Sequence, residues 1–283
     1  MALITLEMKS KKLGCPTMVK ILLPDFLDAM ARGVGRKMKV LWLLHGATNG
    51  PNDWLLETNL ARYVKNRNLV VVLPSALNSD YSNYTVFANG FDFWDFFLEE
   101  LMPMVWQWFP ASDNRSDNYV AGYSMGGTGA MQFGFLHPEL FAGIGIFSSA
   151  PRDIDALRPV RSMKSEQWRK EGTDGIRFPG VYPPGYNKKE INMIAKYPTV
   201  GDFLDSPENT WDRFIDAVKK GNLPPVLVSV GSKDRCLARV EKFRTLAEHI
   251  GAKGITFDVI DGYAHEIACW DIAIQRFLDY FKL

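Results

Sequence analysis

Cysteine is scarce in this sequence, and so is net charge of either sign. The 283 residues include three cysteines, an odd number too small for a disulfide framework, and these lack the CxxC or CxxH spacing of a zinc site. Lysine and arginine total 33 against 32 aspartates and glutamates, which gives a formal net charge of +1. Such a balanced chain has no global field that would attract nucleic acid or an anionic membrane. We therefore expect a reduced, cytoplasmic protein whose partner is a small molecule.

Long apolar runs and a leader-like start are also lacking. No uncharged apolar stretch approaches the roughly 18 to 20 residues that a bilayer-spanning helix needs. The first residues carry Glu7 in an alternating pattern, without the basic start, apolar centre and cleavage site of a secretion signal. We expect no membrane and no nucleic-acid partner, whereas assembly into a homo-oligomer is left open.

Hydrophobic residues make up 47% of the chain and follow two alternating patterns. Short, mostly apolar runs predict strands, and stretches with apolar residues at helical spacing lie between them. The predicted strands are Ile4–Met8, Val19–Leu23, Val40–Leu44, Leu69–Leu73, Tyr119–Ala121, Ile144–Phe147, Val226–Val230 and Ile255–Ile260. The predicted helices are Asp53–Lys65, Phe93–Phe109, Gly127–Phe135, Val240–Ile250 and Asp271–Phe281. This alternation predicts an α/β fold with a mostly parallel, doubly wound sheet and helices on both faces.

The stretch from Pro151 to Asn222 interrupts this alternation. It is rich in charge, proline and glycine, and it lies between two predicted strands where a short crossover would suffice. We expect one domain over residues 1–283, with residues 151–222 as an insertion over the carboxyl edge of the sheet, where such sheets bind ligands.

The strongest local signal is the sequence GYSMG at residues 122–126, directly after a predicted strand and directly before a predicted helix. A serine on such a sharp turn adopts a strained backbone, and the flanking glycines avoid the collision of a Cβ with neighbouring elements. This context predicts Ser124 to be a nucleophile. The alternative is a glycine-rich turn with an inert serine.

A serine nucleophile requires a base, and the sequence offers four histidines. Three of them have a structural explanation. His45 lies at a strand end, His137 precedes a proline, and His249 lies within a predicted helix. His265 instead follows the predicted strand 255–260 through a short loop and precedes the last helix. This is the position of the base in the chain order serine, acid, histidine. We therefore predict His265 to be the general base.

The acid that orients this base should lie on a loop after a strand between the serine and the histidine. Asp234 meets this requirement, because it follows the strand 226–230 after three loop residues. Asp258, inside a predicted strand, and Asp261, on the loop of His265, are the rival candidates. A helix cap or turn role is the structural alternative for Asp234.

Acyl transfer also needs N–H donors aimed at the oxyanion of the tetrahedral intermediate. The backbone amide of Met125, directly after the serine, is one predicted donor, and that of Ala47, on the loop after the strand 40–44, is the other. His45 on this loop is expected to bond backbone groups and shape the turn.

The aromatic segment 82–94 could line a substrate pocket. Phe93, Phe96, Phe97 and Leu101 have helical spacing and are predicted to belong to the core, which leaves Tyr84 and Phe87 as candidate substrate-binding residues.

Several motifs in order along the chain resemble the esterase D-like esterases, and tributyrin esterases above all. They are LLHG at residues 43–46, Ser82-x-Tyr84-Thr85, GYSMGG at 122–127, HPELF at 137–141, and Gly262-x-x-His265 with Trp270. The resemblance spans nearly the whole chain. It implies an α/β-hydrolase fold, with Ser124 as nucleophile, Asp234 as acid and His265 as base.

This family includes enzymes that hydrolyse S-formylglutathione, remove acetyl or feruloyl groups from plant polysaccharide, or transfer mycolyl groups. The chain departs from the family pattern in two places: no acidic residue follows Thr85, and residues 151–222 are longer than in the minimal core. Both departures bear on the identity of the acyl group.

Together these features predict a serine carboxylesterase that hydrolyses short-chain acyl esters through an acyl-enzyme, with no metal and no organic cofactor. A thioesterase such as S-formylglutathione hydrolase, or an acyltransferase with the same triad, is the alternative. A non-catalytic protein that holds a ligand in the same pocket is the third hypothesis.

Overall fold

An eight-stranded sheet forms the centre of the fold. The computed structural model of the protein describes residues 1–25, 37–84, 91–164 and 196–283. The strands are β1 (Ala2–Lys9), β2 (Pro16–Leu23), β3 (Lys39–Leu44), β4 (Leu69–Pro74), β5 (Asn118–Tyr123), β6 (Gly143–Phe147), β7 (Val226–Gly231) and β8 (Ile255–Ile260). They lie in the order β1-β2-β4-β3-β5-β6-β7-β8. The first two pairings are antiparallel, and every pairing from β4 to β8 is parallel.

Helices connect the strands, as the alternating sequence pattern predicts. They are α1 (Asp53–Leu56), α2 (Leu60–Val64), α3 (Phe93–Asp95), α4 (Met102–Trp108), α5 (Met125–Leu136), α6 (Val200–Leu204), α7 (Thr210–Lys220), α8 (Leu237–His249) and α9 (Ile267–Tyr280). Among the described residues, no helix is long and apolar enough to cross a bilayer. The predicted fold class, a mostly parallel α/β sheet of the α/β-hydrolase type, is confirmed.

The sheet is buried on both faces because its central strands carry apolar side chains on both. All residues of β4, β5, β6 and β7 are buried. Along β3, alternation sends Val40, Trp42 and Leu44 into one hydrophobic layer and Leu41 and Leu43 into the other. The loops at the strand ends therefore extend from a sheet that has one hydrophobic layer on each face.

The predicted helix Asp53–Lys65 is wrong as a single element, since α1 and α2 are separated by a break at residues 57–59. Two side-chain contacts account for the break. The Thr58 hydroxyl donates to the carbonyl of Trp54, and the backbone and side-chain amides of Asn59 donate to Asp271 at 2.7 and 2.9 Å. The predicted helix 93–109 also differs, because a π-helical segment, Phe96–Leu101, joins α3 to α4.

The described parts of residues 151–222 contain the 3₁₀ turn Asp155–Val160 and the helices α6 and α7. They have a small hydrophobic cluster of their own, formed by Ile154, Leu157, Tyr197, Val200, Phe203, Leu204 and Trp211. Helix α7 packs against α5, the helix that follows the candidate nucleophile. The assignment of residues 151–222 as an insertion over the carboxyl edge stays a prediction.

Candidate active site

Ser124 occupies the turn between β5 and α5 in a left-handed backbone conformation, with φ 53° and ψ −114°. Two glycines allow this close turn. A Cβ on Gly122 would lie 2.5 Å from the backbone of Gly126, and a Cβ on Gly126 would lie 2.4 Å from the carbonyl oxygen of Leu44. The N–H of Ser124 donates to the carbonyl of Phe147 at 2.8 Å. The strained serine is thus held at the carboxyl end of a central strand, as the GYSMG context predicts.

His265 and Asp234 lie next to this serine, although the three residues are far apart in the sequence. The Nε2 atom of His265 is 3.0 Å from Oγ of Ser124. Its Nδ1 atom is 3.0 Å from Oδ1 and 3.1 Å from Oδ2 of Asp234. The structure therefore brings together the three side chains that the sequence singles out as nucleophile, base and acid.

Chemistry fixes the direction of these hydrogen bonds. An ionised carboxylate can only accept, so Nδ1 of His265 must donate to Asp234. In the neutral imidazole, Nε2 then has a free lone pair and accepts from the hydroxyl of Ser124. This arrangement can take the proton of an attacking serine.

Asp234 and His265 each favour the charged form of the other. Burial raises the pKa of Asp234, but hydrogen bonds from His265, Ser148 and the backbone of Cys236 outweigh it and hold the pKa at about 2. Burial lowers the pKa of His265, yet the hydrogen bond with Asp234 and a weaker one with Cys236 bring it above its ordinary value of 6.5. The carboxylate thus stays ionised and can stabilise a positive charge on the ring of His265.

The carboxylate of Asp234 has a buried hydrogen-bond partner that the sequence did not reveal. Its partner Ser148, which follows β6 and is fully buried, accepts a hydrogen bond from Nε1 of Trp270 at 2.8 Å. The ring of Trp270 also meets that of His265 edge-on, with centroids 5.2 Å apart. The position of Ser148 directly after a predicted parallel strand was the available signal, since side chains at these strand ends share one edge of the sheet.

Cys236 is a second residue of the site that the sequence did not reveal. Its backbone N–H donates to Oδ1 of Asp234 at 2.7 Å, and its Sγ lies 3.9 Å from Nδ1 of His265. Nη2 of Arg239 donates to the same sulfur at 3.2 Å. Burial raises the pKa of this thiol, but His265 and Arg239 outweigh it and bring the pKa below its ordinary value. A buried thiol whose pKa lies below its ordinary value therefore borders His265.

The rival acids and histidines are engaged elsewhere. Asp258 accepts from Arg276 at 2.6 Å, and Asp261 accepts from Ser232 at 3.0 Å. His137 pairs with a glutamate at an exposed position, and His249 lies exposed at the end of α8. Neither acid has a bond to His265 among the contacts of the described residues.

The loop that carries Ala47 lies against the turn that carries Met125. A Cβ on Gly46 would lie 2.4 Å from the ring of Tyr123, which immediately precedes the serine. His45 shapes this loop as expected: Nδ1 donates to the carbonyl of Gly46 at 2.7 Å, and Nε2 accepts from the amide of Ala76 at 2.9 Å. Within the described part of the chain, the amides of Ala47 and Met125 have no hydrogen-bond acceptor.

The two candidate substrate-binding residues stay predictions. Tyr84 is buried, and Nζ of Lys196 lies 4.7 Å from the centroid of its ring. Phe87 lies outside the described residues. The cytoplasmic location and the oligomeric state also stay predictions of the sequence.

Comparison with solved structures agrees with this fold. An S-formylglutathione hydrolase from Staphylococcus aureus is 23% identical, with a TM-score of 0.75, over 99% of this chain and 98% of that one. An S-formylglutathione hydrolase from Agrobacterium tumefaciens is 19% identical, with a TM-score of 0.65, over 99% of this chain and 94% of that one. At these identities the similarity establishes the α/β-hydrolase type of fold.

Comparison at the level of sequence identifies the family. An acetyl esterase from Caldicellulosiruptor saccharolyticus is 31% identical over 153 residues, which cover 53% of this chain and 57% of that protein. The matched region thus spans little more than half the length of that relative. The family model described as "Putative esterase" matches residues 10–271, and this match includes every described residue of the candidate site. The chain therefore belongs to this esterase family.

Proposed function

We propose that the protein is a serine carboxylesterase that hydrolyses short-chain acyl esters. The observation that carries this proposal is the 3.0 Å separation of Ser124 Oγ and His265 Nε2, with Asp234 bound to the other ring nitrogen. Membership of the esterase family supports it, and the partial match to an acetyl esterase supports a short acyl group.

In the proposed reaction, Ser124 Oγ attacks the ester carbonyl while its proton moves to Nε2 of His265. Asp234 keeps the proton of Nδ1 in place and stabilises the imidazolium. The carbonyl oxygen becomes an oxyanion between the amides of Ala47 and Met125. The C–O bond to the alcohol then breaks, and the alcohol leaves with the proton from Nε2.

The second half of the reaction releases the acid. Water attacks the acyl-enzyme, and His265 takes a proton from it as the new C–O bond forms. Ser124 then leaves and regains its proton from Nε2. The chain's own side chains and amides supply every proton and charge that these steps need, so the proposal requires no metal and no organic cofactor.

The test is hydrolysis of p-nitrophenyl acetate and butyrate by the parent protein and the Ser124→Ala variant. We expect the variant to lose kcat by a factor on the order of 10⁶, as in other triad hydrolases. Ser116→Ala, which changes an exposed serine before β5, is the matched control. Parent-like activity of Ser124→Ala would refute the assignment of the nucleophile.

A thioesterase is the second candidate, because the two S-formylglutathione hydrolases match this chain along nearly its whole length. A feruloyl esterase is a third candidate, since a ferulic acid esterase from Anaeromyces mucronatus has a similar fold, with 15% identity and a TM-score of 0.59 over 98% of this chain and 89% of that one. A panel of acetyl, butyryl, feruloyl and S-formylglutathione substrates separates these functions by kcat/KM. An added alcohol that captures the acyl group faster than water would identify an acyltransferase.

A non-catalytic ligand-binding role makes the opposite prediction. A fluorophosphonate probe labels only an activated serine, so folded parent protein that stays unlabelled would favour this role.

A further inference from the structure

Three chemically different metal ligands meet beside Ser124. A carboxylate oxygen of Asp234, Sγ of Cys236 and a ring nitrogen of His265 all lie within 4.8 Å of one another. Nδ1 of His265 is 3.0 Å from Oδ1 of Asp234 and 3.9 Å from Sγ of Cys236. Asp234 and Cys236 are buried, and His265 is half-buried. No other group of three such residues occurs in the described part of the chain.

These distances suit a tetrahedral zinc ion. Bonds of about 2.0 Å to nitrogen or oxygen and about 2.3 Å to sulfur bring the ligand atoms about 3.3 to 3.6 Å apart. The two separations from Nδ1 lie on either side of this range, and the carboxylate oxygen lies within 4.8 Å of the sulfur, so modest movements of the side chains would complete the site. Carboxylate, thiolate and imidazole are all ordinary ligands of zinc.

We propose that Zn²⁺ binds to Asp234, Cys236 and Nδ1 of His265, and that this binding reversibly inhibits the enzyme. The inhibition rests on the proposed function, whereas the binding does not. Cys236 is the residue that makes the site, because Asp234 and His265 without it offer only two ligands. The guanidinium of Arg239 lies against the sulfur and favours the thiolate that the metal requires.

Inhibition follows from proton balance. Zinc takes the lone pair of Nδ1, so the proton that Nδ1 donates to Asp234 must leave, and the neutral ring then carries its proton on Nε2. An N–H at Nε2 cannot accept the proton of Ser124. The thiol proton of Cys236 passes to solvent, so zinc binding releases one proton in total and strengthens as pH rises.

The first test compares inhibition by ZnCl₂ in the parent, Cys236→Ala and Cys15→Ala proteins, each relative to its own rate without zinc. Loss of an outer-shell partner alone costs roughly 10–100-fold in metal affinity, so loss of a direct ligand should raise the half-inhibiting zinc concentration by at least about tenfold. Cys15, in the turn between β1 and β2, is the matched control and should behave as the parent. A chelator should restore full activity to the parent. Equal zinc sensitivity in all three proteins, or no inhibition of the parent, would overturn the proposal.

The second test needs neither activity nor a folded variant. Co²⁺ bound to a thiolate gives an intense charge-transfer band in the near ultraviolet, which carboxylate and imidazole ligands alone do not give. We expect this band in the parent protein at one equivalent of Co²⁺, and its removal by Zn²⁺. Its absence at saturating Co²⁺ would refute the site. If the band appears in a protein that hydrolyses no ester, the site stands and the proposed function fails.

Discussion

Nε1 of Trp270 donates a hydrogen bond to Oγ of Ser148 at 2.8 Å, and the two residues are 122 positions apart. Since the hydroxyl of Ser148 is thereby occupied as an acceptor, its own proton is directed to the carboxylate of Asp234. Both side chains are buried, so water does not compete for these bonds. The hydrogen-bonded chain from Trp270 to Asp234 therefore positions the acid that orients His265.

Removal of the hydrogen bond between Ser148 and Asp234 should slow the chemical step. In Ser148→Ala, the carboxylate loses a hydrogen bond of about 1.5–3 kcal/mol, and we expect kcat to fall about tenfold while KM changes by less than about twofold. Trp270→Phe should act in the same direction. Steady-state kinetics with p-nitrophenyl acetate measures both parameters.

The matched control is Ser149→Ala, which removes a neighbouring buried hydroxyl whose partner is Thr128 at 3.3 Å. It should leave kcat near the parent value. A loss of the same size in Ser149→Ala would show that any buried serine in this loop matters equally, and would contradict the role of Ser148.

The acid limb of the pH profile should report His265. This residue acts as a base only when neutral, so kcat/KM should rise with pH through the pKa of His265, which Asp234 brings above 6.5 against the effect of burial. Asp234→Asn removes the anion and leaves burial, so the pKa of His265 should fall below that of the parent protein. It should also favour the wrong tautomer and lower kcat by roughly 10⁴-fold.

Two measurements check this prediction. Kinetics from pH 5 to pH 9 gives the apparent pKa of the parent, and NMR titration of the imidazole gives that of the weakly active variant, with His265→Gln used for assignment. An unchanged or higher pKa in Asp234→Asn would rule out the carboxylate as the cause.

A largely buried ion pair, Lys196 with Glu208, should stabilise the folded protein. Lys196 pairs with Glu208, and their side chains are only 14% and 11% exposed. Glu208→Gln leaves the ammonium of Lys196 buried without its counter-ion, so we expect the free energy of unfolding to fall by about 3 kcal/mol, measured by urea denaturation.

The exposed pair of Arg161 and Asp205 provides the control, since its side chains are 51% and 69% exposed. Asp205→Asn should cost less than about 1 kcal/mol. An equal loss of unfolding free energy in the two variants would mean that burial of the Lys196 pair adds nothing to its contribution to stability.

The sequence predicts the strands and the strand-to-helix turn at Ser124 well because their signals are local. Each buried strand carries its apolar run within a few residues, and the close turn at Ser124 is made possible by glycines two positions away on either side. His265 and Asp234 were found through chain order, which the topology of a parallel sheet imposes on loops at one edge.

What the sequence did not reveal depends on contacts between distant positions. The break between α1 and α2 involves Asp271, which is 212 residues from Asn59. Ser148 gains its role only because Trp270 reaches it from the last helix. Cys236 resembles any scattered cysteine until folding brings it beside His265, 29 residues away.

The last prediction concerns the loop that carries the amide of Ala47. In Gly46→Ala the new methyl group would lie 2.4 Å from the ring of Tyr123, and that ring cannot yield because Trp270 stacks on it at 4.0 Å and Trp54 meets its edge at 5.0 Å. The loop must therefore move and carry the amide of Ala47 away from the oxyanion. Loss of one such donor costs about 100-fold to 1,000-fold in kcat, so we expect kcat to fall by about 100-fold with little change in KM.

Gly50→Ala is the matched control on the same loop, because its new methyl group would meet nothing closer than Oδ2 of Asp53 at 3.7 Å. It should retain nearly full kcat. Circular dichroism and thermal melting of both variants separate a displaced loop from a protein that no longer folds. A folded Gly46→Ala protein with parent kcat would mean that this loop supplies no donor to the transition state, and the second oxyanion contact would then have to come from another element at the same edge of the sheet.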